Sequence, residues 1–78
     1  MSDAVHSPNH YQRGGIECKD VMKAMLAGTK VPGIVAFWWA TAFKYLWRWT
    51  AKNGVQDLEK CRECLDNMIA EAKAAGMR

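Results

Sequence analysis

The segment that most constrains the fold is residues 33–52, which is apolar on nearly every side of a helix. Its centre is the ten-residue apolar run from Ile34 to Phe43, which ends at Lys44. That run is about half of what a membrane span requires. We therefore expect a helix that is buried on several sides in a soluble protein. Asn53-Gly54 tolerates a left-handed backbone and predicts the end of this helix.

Helical spacing also marks the segments on either side. A short helix is predicted from Ile16 to about Gly28, and Pro32-Gly33 then restarts the chain. A third helix is predicted from Val55 to about Ala75. Spacings of three and four separate its apolar residues, which are Leu58, Cys61, Leu65, Met68, Ala72 and Ala75. This a/d seam predicts antiparallel packing on the second helix or on another subunit.

The predicted fold class is therefore all-α, because no segment shows strand-like alternation. Residues 1–15 contain Pro8 and Gly14-Gly15, and they are predicted to form an irregular N-terminal arm. Residues 16–78 are predicted to form one helical domain with a short helix and two longer antiparallel helices. A chain of 78 residues with four Trp has little room for a core of its own. We therefore expect a homo-oligomer.

The positive charge is concentrated in the aromatic-rich middle of the chain. The net charge is +3, and residues 34–54 contain three basic residues and no acidic one. These are Lys44, Arg48 and Lys52, at i, i+4 and i+8, so they form a basic stripe with Thr41 one turn earlier. Like charges at this spacing repel, and something anionic should offset them. It is either a ligand phosphate, held by the fork of Arg48 and by the lysines, or an acid of the third helix: Asp57, Glu59 or Glu63.

Two further groups of residues are candidates for ligand contacts. The rings of Phe37, Trp38, Tyr45 and Trp49 lie beside the basic stripe and could stack on a flat base, although large rings at helical spacing also suit a core. The arm contains Asn9, His10 and Tyr11, whose donors suit phosphate or base edges. Gly14-Gly15 would allow close approach of the backbone, or would simply form a turn.

The three cysteines, Cys18, Cys61 and Cys64, are too few and too uneven for a disulfide framework. A reduced, cytoplasmic protein is the better interpretation, and Met1-Ser2-Asp3 does not begin a signal peptide. Cys61 and Cys64 with Cys18 or His10 could bind zinc, but Cys61 falls on the apolar seam. We therefore predict buried thiols, no metal and no cofactor.

Three segments in order resemble a bacteriophage family known as domain of unknown function 3310. The family pattern is NHY-x-x-GGIE, then GNALKYLWR, then EDL-x-KA. In this chain the matching residues are Asn9, His10, Tyr11, Gly14, Gly15, Glu17, Lys44, Tyr45, Trp47, Arg48, Asp57 and Lys60. The chain departs from the pattern at Ala40-Thr41, where the family has Gly-Asn, and at Gln56, where it has Glu.

The resemblance implies a phage protein with a helical, oligomeric fold. The family is similar to part of a phage nucleotide kinase that acts on deoxynucleoside monophosphates. On the residues alone, however, the chain has no GxxxxGK[ST] phosphate loop. Both departures from the family pattern also count against kinase activity, and no catalytic residue is assigned.

These observations predict a phage-derived protein that binds a nucleotide or cyclic nucleotide without turnover. It would act in the cytoplasm of the infected bacterium, for example by sequestering a nucleotide immune signal as an anti-defence protein. The alternatives are a nucleotide kinase, and a scaffold or single-strand nucleic-acid binder, since the charge is too small for a duplex-DNA binder. The predicted ligand-binding residues are Asn9, His10, Tyr11, Gly14, Gly15, Thr41, Lys44, Tyr45, Arg48 and Lys52.

Overall fold

A computed structural model describes residues 11–78. Two short strands, β1 (Gln12–Arg13) and β2 (Ile16–Glu17), lead into the helix α1 (Cys18–Leu26). Helix α2 (Gly33–Arg48) continues into a short 3-10 helix (Trp49–Ala51), and helix α3 (Val55–Ala74) follows. The predicted helical class with one short and two longer helices is confirmed for this part of the chain.

The small hairpin of β1 and β2 corrects the prediction of an irregular arm up to residue 15. The two strands are antiparallel, with Gln12 opposite Glu17 and Arg13 opposite Ile16. Gly14 and Gly15 form the turn with φ of +56° and +79°, a conformation that suits hairpin turns and that other residues rarely adopt. The rest of the predicted arm, including Asn9 and His10, lies outside the described residues.

The helix boundaries differ from the predicted ones at two places. Helix α1 begins at Cys18 rather than Ile16, because the two preceding residues belong to β2. Helix α2 ends at Arg48 rather than Lys52, because the chain tightens into the 3-10 turn. Gly54, with φ of +60°, then reverses the chain into α3, and its N–H donates to the carbonyl of Trp49 at 2.8 Å.

Helices α2 and α3 pack against each other in antiparallel directions. Arg48, at the end of α2, contacts Asp57 near the start of α3, and the next contact inward joins Tyr45 to Lys60. The buried cluster between the helices is small and consists of Ala42, Cys61 and Cys64, with Trp38 and Tyr45 packed against it. Helix α1 packs against α2.

The buried side of α3 is rotated from the predicted seam. Asp57, Cys61 and Cys64 are buried, whereas Leu65 is 39% exposed. The small side chains of Cys61 and Cys64 therefore pack against large rings of α2, and Asp57 is buried because it pairs with Arg48. This rotation leaves Leu65 and Ile69 of α3 on the surface. Homo-oligomer formation stays a prediction. Within residues 11–78, no helix combines the length and hydropathy that a membrane crossing requires.

Candidate functional site

A buried ion pair joins α2 to α3 across the turn between them, which we call the elbow (residues 49–54). The Arg48 Nε donates to Asp57 Oδ2 at 3.3 Å, and Arg48 Nη2 donates to Oδ1 at 3.2 Å. Asp57 is 0% exposed and Arg48 is 6% exposed. The pair joins the last residue of α2 to the third residue of α3. Both oxygens of the carboxylate therefore hold the fork of the guanidinium inside the protein.

Three further residues complete this arrangement, which we call the clasp (Tyr11, Trp47, Arg48, Asn53 and Asp57). Arg48 Nη1 donates to the Tyr11 hydroxyl at 2.9 Å, and Trp47 Nε1 donates to the Tyr11 carbonyl at 2.9 Å. The backbone N–H and the side-chain amide of Asn53 each donate to Asp57 at 3.3 Å. The clasp thus fixes the chain before the hairpin to the elbow.

The clasp keeps both members of the ion pair charged. Burial opposes the charge of Asp57, but the hydrogen bonds from Arg48 and Asn53 outweigh it and lower the pKa of the carboxyl. Burial likewise opposes the charge of Arg48, but the hydrogen bonds to Asp57 and Tyr11 raise the pKa of the guanidinium. Among the described residues, every buried side-chain nitrogen and oxygen has a hydrogen-bond partner.

This geometry favours the second of the two interpretations of Arg48, in which an acid of the third helix neutralises its charge. Its fork is already occupied by Asp57, one of the three helix-three acids considered, and little of its surface is accessible. The basic stripe also stops short of Lys52, which is exposed and lies beyond the end of α2 and the 3-10 helix. The neutralising anion for Arg48 is therefore internal.

An open groove of about 310 Å³ runs along α2 and α3 next to the clasp. Its lining residues are Trp38, Thr41, Tyr45, Lys60, Glu63, Cys64 and Asn67. The α2 residues of the groove, 38, 41 and 45, are spaced at i, i+3 and i+7, and so are residues 60, 63 and 67 of α3. Each helix therefore contributes one row of side chains. The Thr41 hydroxyl donates to the Phe37 carbonyl at 2.7 Å. Its oxygen can still accept a hydrogen bond.

Cations gather around the Tyr45 ring at the elbow end of the groove. The Lys44 Nζ lies 4.8 Å from the ring centroid, and the Lys60 Nζ lies 5.9 Å from it. The Arg48 guanidinium carbon is 4.9 Å from the same centroid. Within residues 11–78, no carboxylate oxygen lies within 4.0 Å of either lysine nitrogen. The ring thus concentrates two positive charges that the described residues do not neutralise.

The three thiols are free and buried. Burial is the main cause that raises the pKa of Cys18, Cys61 and Cys64. The positive charge of Lys44 works against burial and lowers the pKa of Cys18 and Cys64. In the described part of the chain, no three His, Cys, Asp or Glu side chains are grouped so that they could hold a metal ion.

Comparison with known families matches residues 5–66 to DUF3310, described as a protein of unknown function. The chain belongs to the DUF3310 family. Searches of curated proteins and of solved structures gave no match. The DUF3310-like blocks separate into two groups in space. Tyr11, Trp47, Arg48 and Asp57 form most of the clasp, whereas Tyr45 and Lys60 line the elbow end of the groove and Lys44 lies against the Tyr45 ring.

The structure therefore brings together only some of the predicted ligand-binding residues. Thr41, Lys44 and Tyr45 lie in or beside the groove. Tyr11 and Arg48 belong to the clasp, and Gly14, Gly15 and Lys52 lie outside both the clasp and the groove. Asn9 and His10 lie outside the described residues.

Several groove residues were not predicted as site residues. Lys60, Glu63 and Asn67 all line the groove, beside Trp38, which the sequence already suggests as a stacking ring. The spacing of residues 60, 63 and 67 is a signal that could have identified one polar row on α3. It becomes informative only once the rotation of α3 is known.

Proposed function

We propose that this protein binds a nucleotide in the groove between α2 and α3. The observation that carries the proposal is the pair of lysines, Lys44 and Lys60, held over the Tyr45 ring at the elbow end. A phosphate beside the Tyr45 ring would be attracted by both ammonium groups. It would also supply the counter-charge that the described residues do not give to either lysine.

The opposite end of the groove suits the base of the nucleotide. Trp38 lines this end and is only partly buried, and its ring meets Phe37 edge-on at 4.9 Å between centroids. Such an arrangement fixes the indole and leaves part of it available for stacking, which contributes about 1–3 kcal/mol per base. Phosphate at the lysines and base at Trp38 give the ligand one orientation.

Arg48 positions the proposed site and does not bind the ligand directly. Its guanidinium packs on the Tyr45 ring while its fork holds Asp57. It therefore fixes the ring on which the lysines converge and does not itself contact the phosphate. Thr41, where the family pattern has Asn, contributes only a short hydroxyl to the middle of the groove.

We further propose that binding occurs without turnover, in a phage-derived homo-oligomer that sequesters a nucleotide or cyclic nucleotide in the host cytoplasm. Support comes from the resemblance to phage sequences and from the groove, whose residues supply the charge and ring contacts that retention of a ligand needs. Exposed apolar residues such as Leu65 and Ile69 support self-association.

Calorimetric titration tests the proposal with the four ribonucleoside monophosphates and their 3′,5′-cyclic forms. We expect binding of at least one of them to the unaltered protein. Lys60→Ala and Lys44→Ala should each weaken it by about tenfold or more, because each removes a charge-assisted contact. Lys73→Ala is the matched control, since Lys73 is an exposed lysine of α3 outside the groove, and it should bind normally.

The outcomes separate binding from catalysis. If no compound of the panel binds, or if both lysine variants bind as tightly as the unaltered protein, the proposal is wrong. Incubation with ATP and the bound monophosphate, followed by mass spectrometry, should return both unchanged. Formation of a nucleoside diphosphate would instead establish the kinase alternative.

A further inference from the structure

We infer that the groove selects a guanine mononucleotide and that Glu63 is the residue that determines this specificity. The inference rests on the proposed nucleotide binding and adds the identity of the base.

The groove has two chemically different ends. Lys60 marks the cationic end beside Tyr45, whereas Glu63 and Asn67 occupy the next two turns of α3 toward Trp38. Seven residues of α-helix separate Lys60 from Asn67, which is about 10 Å at 1.5 Å per residue. That length accommodates one nucleoside monophosphate lying along the row, with its phosphate at Lys60 and its base near Asn67. It is too short for a second nucleotide unit.

Glu63 places a negative charge on the wall of this groove. Glu63 lines the groove beside Cys64. After burial, its charge is the next cause that raises the pKa of the Cys64 thiol. Within the described chain, no Lys or Arg nitrogen lies within 4.0 Å of the Glu63 carboxylate. An ionised carboxylate only accepts hydrogen bonds. A phosphate would be repelled there, and a ligand edge with donors would be favoured.

Guanine is the base whose edge fits this requirement. Its Watson–Crick edge presents two adjacent donors, N1–H and the N2 amino group, which match the two oxygens of one carboxylate. Adenine and cytosine each present a hydrogen-bond acceptor beside their amino group. That acceptor would face one oxygen of the Glu63 carboxylate, which cannot donate to it. Asn67, one turn further along α3, has an amide N–H that could donate to guanine O6.

The test compares GMP, IMP and AMP as ligands by calorimetric titration of the whole protein. IMP lacks only the N2 amino group, so we expect it to bind about tenfold more weakly than GMP, and AMP more weakly still. Glu63→Gln should weaken GMP binding by about tenfold and should not weaken AMP binding, because adenine presents an acceptor to the carboxylate oxygen that the amide replaces. Glu59→Gln is the matched control, because Glu59 is an exposed acid on α3 that does not line the groove.

The results that overturn the inference differ from those that overturn the proposed function. If Glu63→Gln keeps the GMP preference of the unaltered protein, or if that protein shows no preference, the specificity assignment is wrong while nucleotide binding stands. If none of the three ligands binds, the specificity assignment is wrong, and the proposed function fails as well only if no other compound of the monophosphate and cyclic-nucleotide panel binds. An oligonucleotide with one internal guanine should bind more weakly than GMP, and tighter binding would refute the assignment to a free mononucleotide.

Discussion

Replacing Asp57 with alanine should leave the buried guanidinium of Arg48 without its counter-charge. Asp57 is 0% exposed and accepts two hydrogen bonds from Arg48 and two from Asn53. Removing one partner of a buried ion pair costs about 3–5 kcal/mol. Because the Tyr11 hydroxyl still accepts from Arg48, we expect the lower value, about 3 kcal/mol. For a domain of this size, that lowers the Tm by about 12–24 °C.

Urea unfolding followed by tryptophan fluorescence measures this loss at a fixed protein concentration. The matched variants are Arg48→Met and the double variant Arg48→Met/Asp57→Leu. Each single variant should be strongly destabilised, whereas the double variant should recover most of the stability because an apolar pair replaces the buried charges. The reasoning is refuted if Asp57→Ala changes the free energy of unfolding by less than about 0.5 kcal/mol, or if the double variant loses the sum of both single losses.

The same clasp predicts how stability depends on pH. The pKa of Asp57 is lowered in the folded protein, chiefly because the hydrogen bonds from Arg48 and Asn53 overcome the effect of burial. A depressed carboxyl pKa contributes stability that is complete above the unfolded value of about 3.9 and is lost as the pH falls through the folded value. Asp57→Asn should therefore flatten the acid limb of a plot of stability against pH. An unchanged acid limb would contradict the assignment.

Three other properties of the fold are open to measurement. The buried thiols Cys18, Cys61 and Cys64, whose pKa values are raised chiefly by burial, should react slowly with iodoacetamide in buffer and rapidly in urea, and equal rates would disprove their burial. Gly54→Ala should destabilise by about 1–3 kcal/mol in thermal melts, because φ is +60° at Gly54. Gly33→Ala, where φ is not in the left-handed region, is the control and should be nearly neutral. Sedimentation should give a multiple of 8.8 kDa, and a single species of that mass at high concentration would contradict the predicted homo-oligomer.

Much of the helical architecture could be predicted because its signals are local. The apolar run after Pro32-Gly33 and the chain reversal at Gly54 define α2 and the start of α3, and both starts lie where the sequence puts them. Spacings of three and four along α3 then predict antiparallel packing against α2. These features depend on backbone preferences and on periodicity, which neighbouring residues determine.

The structure differs from the sequence predictions where contacts between residues far apart in the chain determine the local structure. The strands of the hairpin have two residues each, too few for any alternation to show. The rotation of α3 is not visible in the sequence, because Asp57 is polar and does not mark a buried position. The sequence does not single out the partner of Arg48 among three acids, since the geometry of the elbow selects Asp57 and no sequence spacing does. Lys60 and Glu63 then face the groove as a consequence of that rotation.

The clasp and the groove are physically connected, and this decides which variants can separate stability from binding. Arg48 belongs to both, because it holds Asp57 with its fork and packs on the Tyr45 ring with its guanidinium plane. Its removal should therefore lower the Tm and weaken the ligand contacts at the same time. Lys60 contacts the same ring from α3 without a carboxylate partner among residues 11–78. A loss of affinity in Lys60→Ala at unchanged Tm is thus the result that distinguishes a ligand site from a purely structural cluster.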